Sequence, residues 1–241
     1  MKLQKLKLLF LGAALMLPAS LDFCADSEAG FKPMFNGTDL SGWEGKTNLW
    51  SVKDGSITGQ TTKENPTKGN TFLVWKGGNV DDFELRLQFK IQADNDSGFG
   101  NSGIQYRSKL VDPKEYVVGG YQADFEYGTT YSGILYEERM RGILAQRGTA
   151  VWIQPDGTKR VVGSLGKSED IQQVIKKGDW NDYVVIARGN HLTHIINGRV
   201  TIDVVDDHVG AMASSGILAL QLHAGPPMTV QFKNLRIRSL K

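Results

Sequence analysis

The chain has 241 residues, with 28 Lys and Arg against 26 Asp and Glu, a net charge of +2 and 40% hydrophobic side chains. The charges do not cluster, so electrostatic capture of nucleic acid is not indicated. One cysteine, Cys24, rules out a disulfide framework or a paired-thiolate metal site, so the fold must be held by its core.

Lys2, Lys5 and Lys7 precede an apolar run from Leu8 to Leu17, with small residues at Ala19, Ser20, Ala25 and Ala29. The run is too short to stay in a bilayer and has the form of a cleaved secretory signal peptide. Asp22 and Phe23 stand where a lipid-anchored signal carries small residues, so Cys24 is not expected to be lipidated. The expectation is a leader over residues 1–29, a mature start before Phe31, and a periplasmic or secreted protein. A transmembrane anchor is not expected.

Residues 30–241 are expected to form one β-sandwich domain. In Asp82–Ile91, Phe83, Leu85, Leu87, Phe89 and Ile91 alternate with Glu84, Arg86, Gln88 and Lys90, a strand with one face buried and one solvated. Asn197-Gly198 between His194-Ile195-Ile196 and Val200-Thr201-Ile202 is a strong hairpin signal. Further strands are expected near Trp50–Val52, Ser56–Gly59, Phe72–Trp75, Gly103–Arg107, Tyr121–Glu126, Val151–Ile153, Tyr183–Arg188, Gly216–His223 and Thr229–Arg238. Ser168–Lys176 suits a short helix, and Glu137–Leu144 suits either helix or strand. Many short strands separated by turns, with 28 glycines, predict an all-β, two-sheet antiparallel sandwich.

Three expected strands carry polar pairs at i, i+2 within apolar surroundings: Gln105 and Arg107; Gln122, Asp124 and Glu126; and Gln221 and His223. Residues two apart share a face, so these amides, carboxylates, guanidinium and imidazole could converge on one sheet face. They contain no lysine, and such planar groups bind sugar hydroxyls in pairs. Trp75, Tyr106, Tyr121, Tyr127, Tyr131 and Tyr136 lie near in sequence and could stack on sugar rings, whereas Trp43, Trp50 and Trp180 are expected in the core. The chain has no phosphate-binding glycine loop, no zinc-protease motif and no nucleophile elbow. Asp203, Asp206, Asp207 and His208 suit a solvated loop better than a metal site. No cofactor is identified, and a divalent cation is left open. For ordinary glycoside hydrolysis by two carboxylates, Asp124, Glu126, Glu137 and Glu138 are candidates.

Several segments, in order, resemble one family. They are Phe35-Asn36-Gly37-Thr38-Asp39-Leu40-Ser41-Gly42-Trp43, then Asn101-Ser102-Gly103-Ile104-Gln105-Tyr106-Arg107, Gly120-Tyr121-Gln122-Ala123-Asp124, and Gly133-Ile134-Leu135-Tyr136-Glu137-Glu138. Gly216 to His223 and Val230 to Ile237 resemble its closing strands. The family is that of 3-keto-disaccharide hydrolase domains, formerly a domain of unknown function. The resemblance implies the concanavalin A-like jelly roll and cleavage of glycosides oxidised at C3. Many members carry a glutamate where this chain has Gln122. The roles implied are Asp124 or Glu137 as base and Arg107 with His223 beside a developing oxyanion. Asn101, Gln105, Gln122, Gln221 and Tyr136 are then substrate contacts, and His194 a further acid or a structural residue. The alternatives are a lectin-like carbohydrate-binding module and an ordinary two-carboxylate glycosidase. In each case the partner is a small carbohydrate.

Overall fold

The computed structural model describes residues 28–240, so almost the whole leader, with Cys24, lies outside the described residues. The strands are β1 (Lys32–Pro33), β2 (Trp43–Glu44), β3 (Trp50–Lys53), β4 (Ser56–Thr61), β5 (Thr71–Trp75), β6 (Phe83–Ala93), β7 (Asn101–Asp112), β8 (Val117–Glu126), β9 (Leu135–Glu138), β10 (Gly142–Ala145), β11 (Thr149–Ile153), β12 (Lys159–Ser164), β13 (Asn181–Arg188), β14 (His191–Ile196), β15 (Arg199–Asp206), β16 (Ile217–Leu222) and β17 (Met228–Ser239). One short helix, α1, covers Ser168–Gln172. The Glu137–Leu144 segment is thus two strands rather than a helix. Among the described residues no helix is long and apolar enough to cross a membrane.

The strands form two sheets. One runs β12-β11-β15-β14-β13-β6-β17-β4-β3 with β1 also on β17, and the other runs β10-β9-β8-β7-β16-β5-β2. The pairing is antiparallel except for β11 beside β15, which is parallel. The inward positions of β6 and β13 meet those of β7, β8 and β16. Leu85, Phe89, Ile91, Tyr183 and Val185 pack with Ile104, Tyr106, Phe125, Leu220 and Leu222 in one buried cluster. The Phe89 and Phe125 rings lie 4.0 Å apart across the two layers. Burying each such side chain favours folding by roughly 1.5–3 kcal/mol, and the period of two in the sequence selects which residues do so.

Trp43 and Trp50 are buried, as expected. Trp180 is not in the core: it is half-buried outside the wide sheet, with the Lys90 and Lys233 ammonium groups 5.5 and 4.0 Å from its ring. On the same sheet Glu28 pairs with Arg86 at 3.0 Å and Arg236 at 2.6 Å, so the chain just before Phe31 is already tied to β6 and β17.

The narrower sheet curls strongly. Phe72 N on β5 donates to Tyr116 O at the start of β8 at 2.9 Å, although β16 and β7 lie between β5 and β8 in the sheet. The curl buries a second, small apolar cluster of Phe72, Val74, Val118 and Ala219 on the concave side. Polar side chains that alternate with the main core, such as Gln105, Gln122 and Gln221, are therefore buried rather than solvated.

Two residues expected at the site serve the fold instead. His194 lies between the sheets, with Nε2 2.9 Å from Tyr106 Oη and Nδ1 3.5 Å from Tyr183 Oη. Arg107 was expected on the face of Gln105, but its backbone is left-handed (φ 47°) and the β7–β8 register shifts between Tyr106 and Lys109. This bulge turns the guanidinium to the sandwich end. There it donates to Asp81 O at 2.7 Å and to Gly189 O and Ala213 O, and pairs with Asp82 at 3.0 Å.

Burial lowers the His194 pKa from 6.5 to about 3. The unfolded chain then binds a proton that the folded chain refuses, so the stability His194 contributes is full above pH 6.5 and is lost as pH falls towards 3. His194→Gln should flatten this acid loss by up to about 1.4 kcal/mol per pH unit in urea unfolding; an unchanged slope would show that His194 is not held neutral. Arg107→Met takes the guanidinium from three carbonyls and from Asp82, which keeps only the Gly189 N–H on the same oxygen. It should cost about 2–4 kcal/mol of stability, while the folded fraction keeps its sugar affinity.

Candidate functional site

The site is built on β7, β8 and β16 where the concave face opens at one end. Gly103 pairs with Asp124 and Gln105 with Gln122 across β7–β8. On the other side of β7, Ala219 pairs with Gln105 and Leu220 with Ile104, a register that carries Gln221 beside Gly103. Gly103 thus occupies the centre of the floor. A Cβ there would stand 2.5 Å from Gln122 Cγ and 2.6 Å from Cδ, so the glycine lets the Gln122 side chain lie across the strand.

A chain of amides runs through this floor. The Gln105 amide meets that of Gln122 at 2.6 Å and Ser108 Oγ at 2.8 Å. Gln221 Nε2 donates to Gln122 Oε1 at 3.1 Å and reaches Glu138 Oε2 at 3.5 Å. Asn101 Nδ2 donates to Asp124 Oδ1 at 3.1 Å, and Asn70 Nδ2 approaches Glu138 Oε1 at 3.4 Å. Gln221 Oε1 is buried without a hydrogen-bond partner among the described residues. A ligand hydroxyl would satisfy it, since an unpaired buried polar atom is costly.

The pocket above the floor has a volume of about 280 Å³, near the lower end for small-molecule sites and suited to one sugar ring. Asn70, Asn101, Gln122, Asp124, Glu138, Gln221 and His223 supply its polar lining, and Tyr131, Ile134, Tyr136 and Ile143 its rings and apolar wall. The loop bearing Tyr131 is anchored from below. Buried Arg147 donates to Ser132 O at 2.7 Å and Thr129 O at 2.8 Å, while Glu126 accepts from Tyr131 N at 2.9 Å. His223 follows the end of β16 with its Nδ1 against Ala224 O and its ring edge-on to Phe99 at 5.3 Å.

Burial pushes the Asp124 carboxyl far above the usual carboxylate range, with the Glu126 charge adding to the rise and the Asn101 bond opposing it. Burial raises Glu138 too, against the opposing pull of Asn70, His223 and Arg139. Tyr136 is raised by burial and by both carboxylates. The pocket therefore holds two carboxyls that favour their protons to different degrees. Among the described residues no group of three or more His, Cys, Asp or Glu is placed to hold a metal ion.

Of the residues singled out in the sequence, the structure brings together Asn101, Gln122, Asp124, Tyr131, Tyr136, Glu138, Gln221 and His223. Gln105 lies beneath them and touches the pocket only through Gln122. Arg107 and His194 lie elsewhere, as described above. Glu137 also points away: β9 alternates, so Tyr136 and Glu138 face the pocket while Glu137 pairs with Arg141. Arg141 bridges to Asp206 at 2.7 Å, and Tyr121 Oη donates to the same carboxylate at 2.5 Å. The carboxyl that β9 delivers is thus Glu138. The i, i+2 pair Tyr136 and Glu138 was visible in the sequence, but in a four-residue strand either phase was open. Asn70, Ile134 and Ile143 carried no such pattern.

The model of the 3-keto-alpha-glucoside-1,2-lyase-like domain matches residues 30–238. No curated protein matches the chain. Among solved structures, a candidate glycosyl hydrolase from Parabacteroides distasonis superposes with a TM-score of 0.57 at 19% identity, covering 87% of this chain and 99% of that one. The carbohydrate-binding module CBM66 from Bacillus subtilis gives 0.53 at 18%, over 86% of this chain and 100% of that one. A Bacillus subtilis protein with a galectin-like fold gives 0.56 at 12%, over 87% and 94%. At these identities the likeness is one of fold, and the fold is the lectin and glucanase jelly roll. The matched span, almost the whole described chain, settles the kinship: this chain belongs to the carbohydrate-active family of 3-keto-alpha-glucoside-1,2-lyase-like domains.

Proposed function

We propose that this protein cleaves glycosides whose sugar ring is already oxidised at C3, by elimination across C1–C2 followed by hydration. The observation that carries this is the placing of two buried carboxyls, Asp124 and Glu138, over one floor of hydrogen-bonded amides, where burial favours their protons to different degrees. Displacement at an ordinary glycoside needs a carboxylate held charged against a cationic transition state as well as an acid, and burial over an uncharged amide floor favours moving a proton over holding that charge. Proton transfer to and from a keto sugar suits such groups. The family description supports the same chemistry.

The C3 ketone acidifies the proton on C2. Glu138, whose charge is favoured by Asn70, His223 and Arg139, takes that proton as base. The electron pair moves towards the C3 oxygen, which becomes an enolate within reach of the amide floor and His223. Asp124, the carboxyl that holds its proton more strongly, gives it to the glycosidic oxygen as the C1–O bond breaks. Water then adds at C1 of the enone, and a proton returns to C2. The N-terminal lysines and apolar run support a setting outside the cytoplasm for this reaction.

Incubation of the purified protein with a 3-keto-disaccharide in heavy water should release both sugars, the keto sugar alone with deuterium at C2, and the unoxidised parent should be inert. Equal turnover of the parent without C2 label would mean displacement instead, and binding of both sugars without cleavage would mean a lectin-like module. Glu138→Gln should abolish C2 exchange, with a loss of about 10²-fold or more in kcat. Asp124→Asn should slow release of poor leaving groups most. Both substitutions remove a buried ionisable group with a raised pKa, whose stabilisation is full below the ordinary carboxylate range and is lost as pH rises through the raised value, so each variant's melting temperature should gain on the parent's as pH rises above 4.5. Glu137→Gln breaks the Arg141 cluster and should melt lower. kcat/KM should fall on the acid side at a pH above 4.5, where Glu138 is protonated, and on the alkaline side where Asp124 ionises; Asp124→Asn should remove the second limb.

A further inference from the structure

On the far side of Asn70 lies a second hollow of about 620 Å³, more than twice the volume of the first. Asn70 lines both, and Arg139, which lines the hollow, directly follows the pocket's Glu138. Asn70 is fixed as the shared wall, since its Oδ1 accepts from Ala224 N at 3.0 Å while its Nδ2 approaches Glu138. Asp124 and Glu138 thus line the pocket on one side of Asn70, and the hollow lies on the other.

The far hollow differs chemically from the pocket. It offers three cations, Lys46, Lys68 and Arg139, and two carboxylates, Asp112 and Glu115. Lys46 and Glu115 pair at 2.6 Å. Asp112 caps its own turn by accepting from Lys114 N at 3.0 Å and Glu115 N at 3.3 Å. Lys68 and Arg139 are exposed, and neither has an ion-pair partner within 4 Å among the described residues. Arg139 is held at its place by a left-handed backbone (φ 57°) at the tip of the β9–β10 hairpin. A non-glycine residue in that region is uncommon and directs the side chain along a path a regular turn would not give.

We propose that this hollow is the leaving-group site, and that it selects a leaving sugar bearing an anionic group, a carboxylate, sulfate or phosphate, through Lys68 and Arg139. The proposal rests on the reading of the pocket as the site of the cleaved sugar. It assigns substrate preference to Lys68 and to Arg139, whose charge also favours the Glu138 carboxylate, so the ratio between two substrates, and not either rate alone, reports the site.

The test uses the full protein and two 3-keto-disaccharides that differ only in the leaving sugar, glucose or glucuronic acid, with the two unoxidised parents for binding. The acidic substrate should show a kcat/KM higher by about tenfold, the order two exposed ion pairs supply at low salt. The preference should shrink as ionic strength rises. In Lys68→Gln/Arg139→Gln the ratio should approach one, with the melting temperature reporting an intact fold. Cleavage of both substrates at equal efficiency, with no change of ratio in the double variant, would overturn the leaving-group site and leave the keto chemistry standing. If neither substrate is cleaved, the binding arm decides alone. Tighter binding of the acidic parent, lost in the double variant, would uphold the anionic site and sink the elimination; equal binding of both parents would sink the two together.

Discussion

The concave face of the narrower sheet is buried by the sheet's own curl, so each polar group on it has to find a hydrogen-bond partner inside the protein. The chain of amides from Ser108 and Gln105 through Gln122 to Gln221 meets that demand for every link but Gln221 Oε1, which is left for a ligand. Amides can donate and accept at once without carrying charge, so the floor is polar yet adds no field of its own sign. Above it, Asp124 and Glu138 experience desolvation, moderated by different neighbours, and their proton affinities separate for that reason. Because the floor is hydrogen-bonded before any sugar arrives, little reorganisation is left for the moment of reaction.

Full charges are placed elsewhere. Arg107 with Asp82, Arg141 with Glu137 and Asp206, and Arg147 with its carbonyls sit at the ends and under the loops of the sandwich. A guanidinium has five donors in a fixed fork, which suits it to collecting carbonyls that strand ends leave without partners. Losing one member of such a cluster strands the rest, so these residues govern folding and touch the pocket only by holding its walls. The same division explains why a buried arginine on a site strand is not an oxyanion partner here.

The sheets were legible in the sequence because apolar alternation is plain in β6 and β8 and β16 is an almost unbroken apolar run. The edge strand β12, whose residues are nearly all exposed, had no buried phase to betray it. The site was legible where polar residues interrupt a strand that must otherwise be apolar, as Gln122 and Asp124 or Gln221 do. Two kinds of information were hidden. The phase of β9 cannot be set by four residues, so Glu137 and Glu138 exchanged places. The bulge at Arg107 has no glycine or proline to announce it, because the left-handed residue is the arginine itself. His194 looked like a polar residue near a turn, yet its partners Tyr106 and Tyr183 come from distant strands that only the folded layers bring together.

That bulge also divides β7 into two halves with different tolerance for change in chain length. Before it, a single inserted or deleted residue would slide Asn101, Gly103 and Gln105 to the opposite face and exchange the pocket floor for core side chains. Beyond it, Lys109 to Asp112 are exposed or half-buried and pair with Val117 to Gly119 through a second irregularity. An extra residue there could be taken up by the turn with the floor still in register. Homologous chains should therefore vary in length after this point and keep one fixed spacing from Asn101 to Gln105.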